Sequence, residues 1–155
     1  MDLTLASLLA EEESLCLSAF SNDDAWELGA RLADLARARK LPIAVSIVRG
    51  GQRLFHFAAE GTSPDNDAWL ERKLATVLHF GHSSLFMGKK LEALGLGLQE
   101  KYSLDPARYS VSGGAFPIAI AGTGLVGGVA VSGLKAEEDH ALVVEALAGF
   151  KKAAS

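Results

Sequence analysis

Apolar residues recur at near-helical spacing in three stretches of the chain, and each stretch predicts an amphipathic helix packed on a core. The first covers about residues 3–13, and the last covers about 137–153. The second covers about 23–39, after N-cap candidates at residues 21–24. The apolar positions are Leu3, Leu5, Leu8 and Leu9, then Trp26, Leu28, Leu32 and Leu35, and finally Leu142, Val143, Leu147 and Phe150.

Short β-branched and alternating segments between these helices predict strands. Gly50-Gly51 and Gly122-Thr123-Gly124 are turn sequences, and each lies between two such segments, so two β-hairpins are expected. Residues 15–19 alternate in polarity and predict one further short strand. The hairpin strands are expected at 43–48 with 53–59 and at 116–121 with 125–132.

The segment between the two hairpins predicts two more helices, about 65–80 and about 83–100, although Gly95 and Gly97 weaken the end of the second. The predicted order is therefore αβαββααββα. Two hairpins separated by a helical insert favour a mostly antiparallel sheet with helices packed on it. No linker or repeat interrupts the pattern, so one domain over residues 1–155 is expected.

Composition and charge exclude several classes of protein. With 49% hydrophobic and 22% charged residues, the chain has the composition of an ordinary soluble globular protein. The net charge is −4 and the basic residues are scattered, which argues against a nucleic-acid or anionic-membrane surface. The single cysteine, Cys16, fits a reducing compartment. No signal peptide and no apolar run of about 20 residues is present, so a cytoplasmic location is expected.

Residues 64–73 are richer in polar chemistry than a helix start requires. One interpretation is structural: Ser63 caps the helix, Trp69 lies in the core, and the pair Arg72-Lys73 is solvated. The other is a ligand pocket, because Asn66 beside Trp69 and Lys73 supplies an amide, an aromatic ring and a cation. The residues alone leave both interpretations open.

Two further segments carry candidate chemistry. Ser112 precedes Gly113-Gly114, whose backbone could approach a ligand closely or form a tight turn before a strand. Residues 137–140 place three acids at a helix start, where they complement the helix dipole. Asp139 and His140 are adjacent and point apart on a helix, so we expect His140 to be exposed or capping rather than a ligand.

The four histidines, His56, His79, His82 and His140, do not form a zinc-like pattern, so no metal site is expected. Haem needs only one axial ligand and an apolar slot, and that possibility stays open. No serine lies in a nucleophile elbow, and catalytic residues are unknown from the sequence.

Three segments in order resemble the haem-degrading-domain superfamily, also called the GlcG/HbpS-like family. They are residues 64–73 continuing through Ser83-Ser84, residues 113–118, and residues 127–133 with Glu138-Asp139. The Asp-Asn-Asp-x-Trp and Glu-Glu-Asp-His signatures resemble the branch termed an uncharacterised protein family. The resemblance covers about residues 11–150.

This resemblance implies a profilin-like α/β (α+β) sandwich, with a mostly antiparallel sheet of about five strands and helices on both faces. It also implies a homodimer that assembles further and, in some members, haem binding. One position departs from the branch: Ser112 stands where we expect a histidine before the two glycines. Serine can hydrogen-bond but is a poor haem ligand.

The leading hypothesis is an oligomeric binding protein for a small acidic or planar ligand. The alternatives are a haem-binding and haem-degrading protein, and a structural or interaction module in which residues 64–73 build a subunit interface. The predicted ligand-binding residues are Asn66, Trp69, Arg72, Lys73, Ser112, Gly113 and Gly114.

Overall fold

The fold is an α/β sandwich, seen in a computed structural model that describes residues 3–155. Met1 and Asp2, at the start of the predicted one-domain span, lie outside the described residues. In chain order the elements are α1 (Leu5–Ser14), α2 (Asn22–Arg39), β1 (Ala44–Arg49), β2 (Gln52–Ala58), α3 (Pro64–Phe80), α4 (Ser84–Leu94), α5 (Leu98–Tyr102), β3 (Ala115–Ile120), β4 (Gly124–Ser132) and α6 (Ala136–Ala154).

The sheet consists of the two predicted hairpins joined side by side. Its order in the described chain is β2-β1-β4-β3, and all pairings between named strands are antiparallel. The predicted antiparallel sheet is therefore confirmed, with four strands instead of about five. The expected strand at residues 15–19 is reduced to one parallel bridge between Leu17 and Ile120.

Helices cover both faces of the sheet because its central strands are apolar on both sides. Val45 and Ile47 of β1 pack with α2 and α6 in the larger core. Ala44 and Val48, which point the other way, pack with Leu70, Leu74 and Val77 of α3. This confirms the predicted sandwich. None of the helices in residues 3–155 is long and apolar enough to cross a membrane.

Two details of the helices differ from the prediction. Trp26 is 65% exposed, and its indole meets the edge of the Phe55 ring at 5.5 Å between centroids, so it flanks the core instead of entering it. The prediction of one continuous helix over about 83–100 is wrong, because α4 ends where Gly95 adopts a left-handed φ of 66°. The short α5 then starts after Gly97.

Helix α1 is attached to the body of the protein by two carboxylate–histidine pairs. Glu11 Oε1 lies 2.6 Å from His140 Nε2, and Glu12 Oε1 lies 2.8 Å from His82 Nδ1. Leu8 of α1 is buried against Leu85, Phe86 and Met87 of α4. The expectation that His140 is exposed or capping is wrong: it is 1% exposed, and its ring lies between Glu11 and the Phe116 ring, 5.9 Å away between centroids.

This attachment yields a first prediction. Glu11→Ala should lower the free energy of unfolding by about 1–3 kcal/mol, because it leaves the buried His140 ring without its Glu11 partner. Glu13→Ala is the matched control, since Glu13 is an exposed acid on the same helix, and its effect should stay within about 0.5 kcal/mol. Urea unfolding of both variants measures the difference. Equal effects would show that the Glu11–His140 pair does not attach α1.

Candidate functional site

The start of α3 is closed by its own side chains. Ser63 is the N-cap and accepts a hydrogen bond from the backbone of Asp65, and Pro64 occupies the first turn. The Asn66 carboxamide oxygen accepts a hydrogen bond from the Ser63 backbone N–H at 2.9 Å. The capping role expected for Ser63 is therefore confirmed, and Asn66 completes the cap. This cap positions the next two turns, which carry Trp69 and Lys73.

Lys73 is the central residue of the site because it is a buried cation. Its side chain is 4% exposed, and Nζ donates to Asp139 Oδ2 at 3.0 Å and to the carbonyl oxygen of Val131 at 3.0 Å. The interpretation of Arg72-Lys73 as a solvated pair is therefore wrong for Lys73. The side chain reaches across the end of β4 to the first turn of α6.

Asp139 is the residue that sequence reasoning missed. Its side chain is 2% exposed, and Oδ1 accepts a hydrogen bond from the Leu134 backbone N–H at 3.0 Å. In the sequence it belongs to the row of acids at the start of α6, which the helix dipole already explained, and to the Glu138-Asp139 part of the family resemblance. Nothing local indicated that one of them faces inward toward a lysine on another helix.

Burial shifts the pKa values of both members of this ion pair toward the neutral forms. Desolvation lowers the pKa of Lys73 below its ordinary value, and the charge and hydrogen bond of Asp139 offset only part of this effect. Desolvation likewise raises the pKa of Asp139, against the charge of Lys73 and the backbone N–H groups of Leu134 and Gly133. A pair whose desolvation exceeds its attraction is a candidate functional feature.

Trp69 and Arg72 form a stacked pair on the outer side of α3. The Arg72 Cζ atom lies 4.7 Å from the centroid of the Trp69 ring. Trp69 remains 38% exposed, so the expectation that it lies in the core is wrong. A cation–π contact at this distance restrains the indole plane.

A cleft with a volume of about 240 Å³ lies over the Lys73–Asp139 pair, and we call it the Lys73 cleft. Four of the predicted site residues come together in its lining, whereas Arg72, Gly113 and Gly114 do not line it. The lining residues are Asp65, Asn66, Trp69, Lys73, Ser112, Ser132, Gly133, Leu134 and Asp139.

Gly113 and Gly114 are buried beneath the cleft and have a packing role. Gly114 has a φ of 135°, and a Cβ there would lie 2.4 Å from the Val131 carbonyl oxygen and 2.7 Å from Lys73 Nζ. The glycine therefore makes room for the ion pair. Ser112 precedes it on the cleft wall, where its backbone N–H donates to the Ser110 hydroxyl.

The histidines lie away from the Lys73 cleft. His56 pairs with Asp67 at 2.8 Å, and the His79 ring meets Tyr109 edge-on at 5.7 Å between centroids. His82 and His140 hold α1. The donor set of the cleft therefore contains no axial ligand of the histidine type that haem uses and does not fit that group. Among residues 3–155, no three His, Cys, Asp or Glu side chains are grouped to hold a metal ion.

Comparison with known proteins identifies the family of this chain. A family model described as haem degrading protein HbpS-like matches residues 20–148. A UPF0303 protein of Streptomyces avermitilis is 52% identical over 147 residues, which are 95% of this chain and 90% of that protein.

Solved structures share the fold. The crystal structure of the Ybr137w protein aligns with a TM-score of 0.90 at 33% identity, over 97% of this chain and 90% of that one. The crystal structure of a PduOC–haem complex aligns with a TM-score of 0.72 at 21% identity, over 84% of this chain and 94% of that one. At that identity the likeness establishes the fold alone.

Proposed function

The chain belongs to the HbpS-like family of haem degrading proteins and to its UPF0303 branch, and from this premise we propose that it binds a small planar or acidic ligand in the Lys73 cleft. The observation that carries the proposal is a buried ammonium with a donor to spare. A lysine ammonium has three N–H donors, and Asp139 and Val131 accept two of those of Lys73. We propose that the third donates to an oxygen atom of a ligand.

The rest of the lining supports a planar ligand. The flat face of Trp69 offers a stacking surface, and Ser112 and Ser132 contribute polar groups to the walls. Asp139 holds Lys73 from the protein side, so a ligand meets a cation of fixed position. Preorganisation of this kind lowers the cost of binding.

The charges of the lining narrow the ligand class. Two carboxylates, Asp65 and Asp139, and one ammonium, Lys73, line the cleft. A polyanion such as a phosphate ester would meet repulsion from both acids, whereas one carboxylate or carbonyl oxygen can be placed on Lys73. We therefore expect a ligand with a single acidic or carbonyl group.

The test compares the two exposed tryptophans. Trp69→Ala should weaken binding of benzoate and benzamide, the planar probes, by about tenfold or more, because it removes the stacking surface. Trp26→Ala is the matched control, because Trp26 is 65% exposed and does not line the Lys73 cleft. Isothermal titration measures both affinities, and native mass spectrometry of the purified protein identifies a co-purified ligand. Equal affinities in the two variants would refute the site.

We also propose that residues 1–155 form one folded unit, that it forms a homodimer which assembles further, and that it works in the cytoplasm. Exposed tryptophans are enriched at interface hot spots, which supports self-association through Trp26 or Trp69. The single Cys16 supports a reducing compartment.

Light scattering of the same two variants separates a ligand role from an interface role. If Trp69→Ala halves the mass while the fold survives, Trp69 builds a subunit interface.

Haem binding is the competing function. The PduOC neighbour was solved with haem, but in this chain no histidine lines the Lys73 cleft. A haem titration discriminates between the two functions. We expect no Soret shift that depends on His56, His79, His82 or His140, and such a shift would favour the haem alternative over our proposal.

A further inference from the structure

A second depression adjoins the Lys73 cleft and shares a wall with it. This depression, which we call the α4 groove, lies between α4, the start of α5 and residues 106–112, and its volume is about 570 Å³. Trp69 and Ser112 line both the groove and the Lys73 cleft. A ligand that lies against Trp69 can therefore extend from one into the other.

The α4 groove differs from the cleft in chemistry. Leu91, Leu96, Leu98 and Val111 contribute its apolar wall. Among its lining residues in the described chain, Glu92 alone carries a charge. Leu96 remains 38% exposed, so apolar surface faces the groove without a partner from residues 3–155. Covering such surface with apolar ligand atoms is favourable in water.

Size gives a second reason to join the two depressions. Ligand pockets in proteins typically have volumes of about 300–1,000 Å³. The Lys73 cleft alone, at about 240 Å³, is below this range, and the described residues that line the α4 groove include no cation to anchor an acid. Together they offer one anchoring cation and one apolar channel.

We infer that the ligand is an amphipathic monocarboxylic acid, with its carboxylate on Lys73 and an apolar chain that passes Trp69 into the α4 groove. This inference rests on the proposed function of the Lys73 cleft. The spare N–H of Lys73, a side chain 3% exposed, supplies the charge complementarity that selects an acid. Glu92 in the lining of the groove disfavours a second carboxylate on the chain of the ligand.

The experiment is a chain-length series in the full-length protein. Butanoate, hexanoate and octanoate, below their micellar concentrations, are titrated by calorimetry beside benzoate. Affinity should rise by up to about fourfold for each added methylene, the value for full burial of that group. Octan-1-ol, which lacks the carboxylate, should bind at least about tenfold more weakly than octanoate, because it makes no charge-assisted hydrogen bond.

A pair of leucine variants tests where the apolar chain of the ligand lies. Leu96→Ser should flatten the dependence on chain length and leave benzoate affinity unchanged. Leu125→Ser is the matched control, because Leu125 is 39% exposed and Leu96 is 38% exposed, and Leu125 lies on β4 outside the groove. If the affinity rises equally with ligand chain length in the two variants, the inference is overturned.

The outcomes separate the two proposals. If benzoate binds and octanoate binds no more tightly than butanoate, the apolar channel is wrong and the Lys73 cleft survives. If neither benzoate nor octanoate binds, both proposals fail. If Leu96→Ser reduces the mass measured by light scattering, a second copy of the chain covers the α4 groove, and the inference is overturned.

Discussion

Replacing Lys73 with methionine should lower the free energy of unfolding by about 3–5 kcal/mol, because it leaves a buried carboxylate without its partner. Asp139 is 1% exposed, so solvent cannot replace the lost ammonium. The two remaining donors, Leu134 and Gly133, are neutral backbone groups. A loss of this size is a large share of the stability of an ordinary domain. Urea unfolding followed by circular dichroism measures it.

The double variant Lys73→Met with Asp139→Leu is the control for this prediction. Removing both charges also removes their desolvation cost, so the double variant should recover most of the loss and could exceed the parent. The difference between single and double variants is therefore the informative quantity. If Lys73→Met alone lowers the free energy of unfolding by less than about 1 kcal/mol, the ion pair is not buried as it is in the structure.

The pKa shifts give the sign of the pH dependence. The raised pKa of Asp139 means that the folded state binds more protons, so its contribution to stability falls as pH rises from 3.8 through the raised folded value. The lowered pKa of Lys73 means that the folded state binds fewer protons, so stability rises between the lowered folded value and 10.5. Relative to the double variant, the parent should therefore be least favoured within the interval from pH 3.8 to pH 10.5.

That minimum bears on function. A group kept for stability usually contributes most at the working pH, whereas this pair carries a desolvation cost there. Bound ligand that accepts the third N–H of Lys73 would offset part of that cost. This desolvation cost supports the proposal that the ion pair positions a ligand.

Gly114→Ala should destabilise the protein by about 2–5 kcal/mol, through backbone strain and overpacking together. A Cβ at this position would lie 2.4 Å from the Val131 carbonyl oxygen, which is backbone of β4 and cannot move aside cheaply. It would also lie 2.7 Å from Lys73 Nζ and push the ammonium off Asp139. The affinity for the planar probes should also fall. Calorimetry at low temperature, where the variant is still folded, measures this affinity.

Gly122→Ala is the matched control for crowding. Gly122 also has a positive φ, 80°, but a Cβ there would meet nothing within 4 Å. Gly122→Ala should lower the free energy of unfolding by the backbone strain alone, about 1–2 kcal/mol. If both variants cost the same, Gly114 is needed only for its backbone conformation, and the close packing around the ion pair is unimportant.

Local signals in the sequence predicted most of the elements correctly. Ser21 is the N-cap among the candidates expected at residues 21–24, Ser63 is the N-cap of the structural interpretation, and the glycine turns mark both hairpins. These features depend on residues within a few positions of one another, so a single sequence contains them. The merged helix at 83–100 failed because a left-handed Gly95 and a tolerated helical glycine look alike in a sequence.

The candidate site was predicted only in part. Asn66, Trp69, Lys73 and Ser112 do meet in one cleft, whereas Arg72 stacks on Trp69 and the two glycines are buried below. Residue types that suit a ligand were visible, but which of them face one cavity depends on how α3 lies on the sheet.

By itself, the sequence determined most of the helices, the hairpins, the antiparallel sheet and the family, because these depend on periodicity, caps, turns and motif order. Only the tertiary structure decided that Lys73 is buried and that Asp139, 66 positions away, is its partner. Pairing over that separation depends on how the two helices pack across β4, and no local pattern encodes it. The helix start with excess polar residues is thus the support of a buried cation.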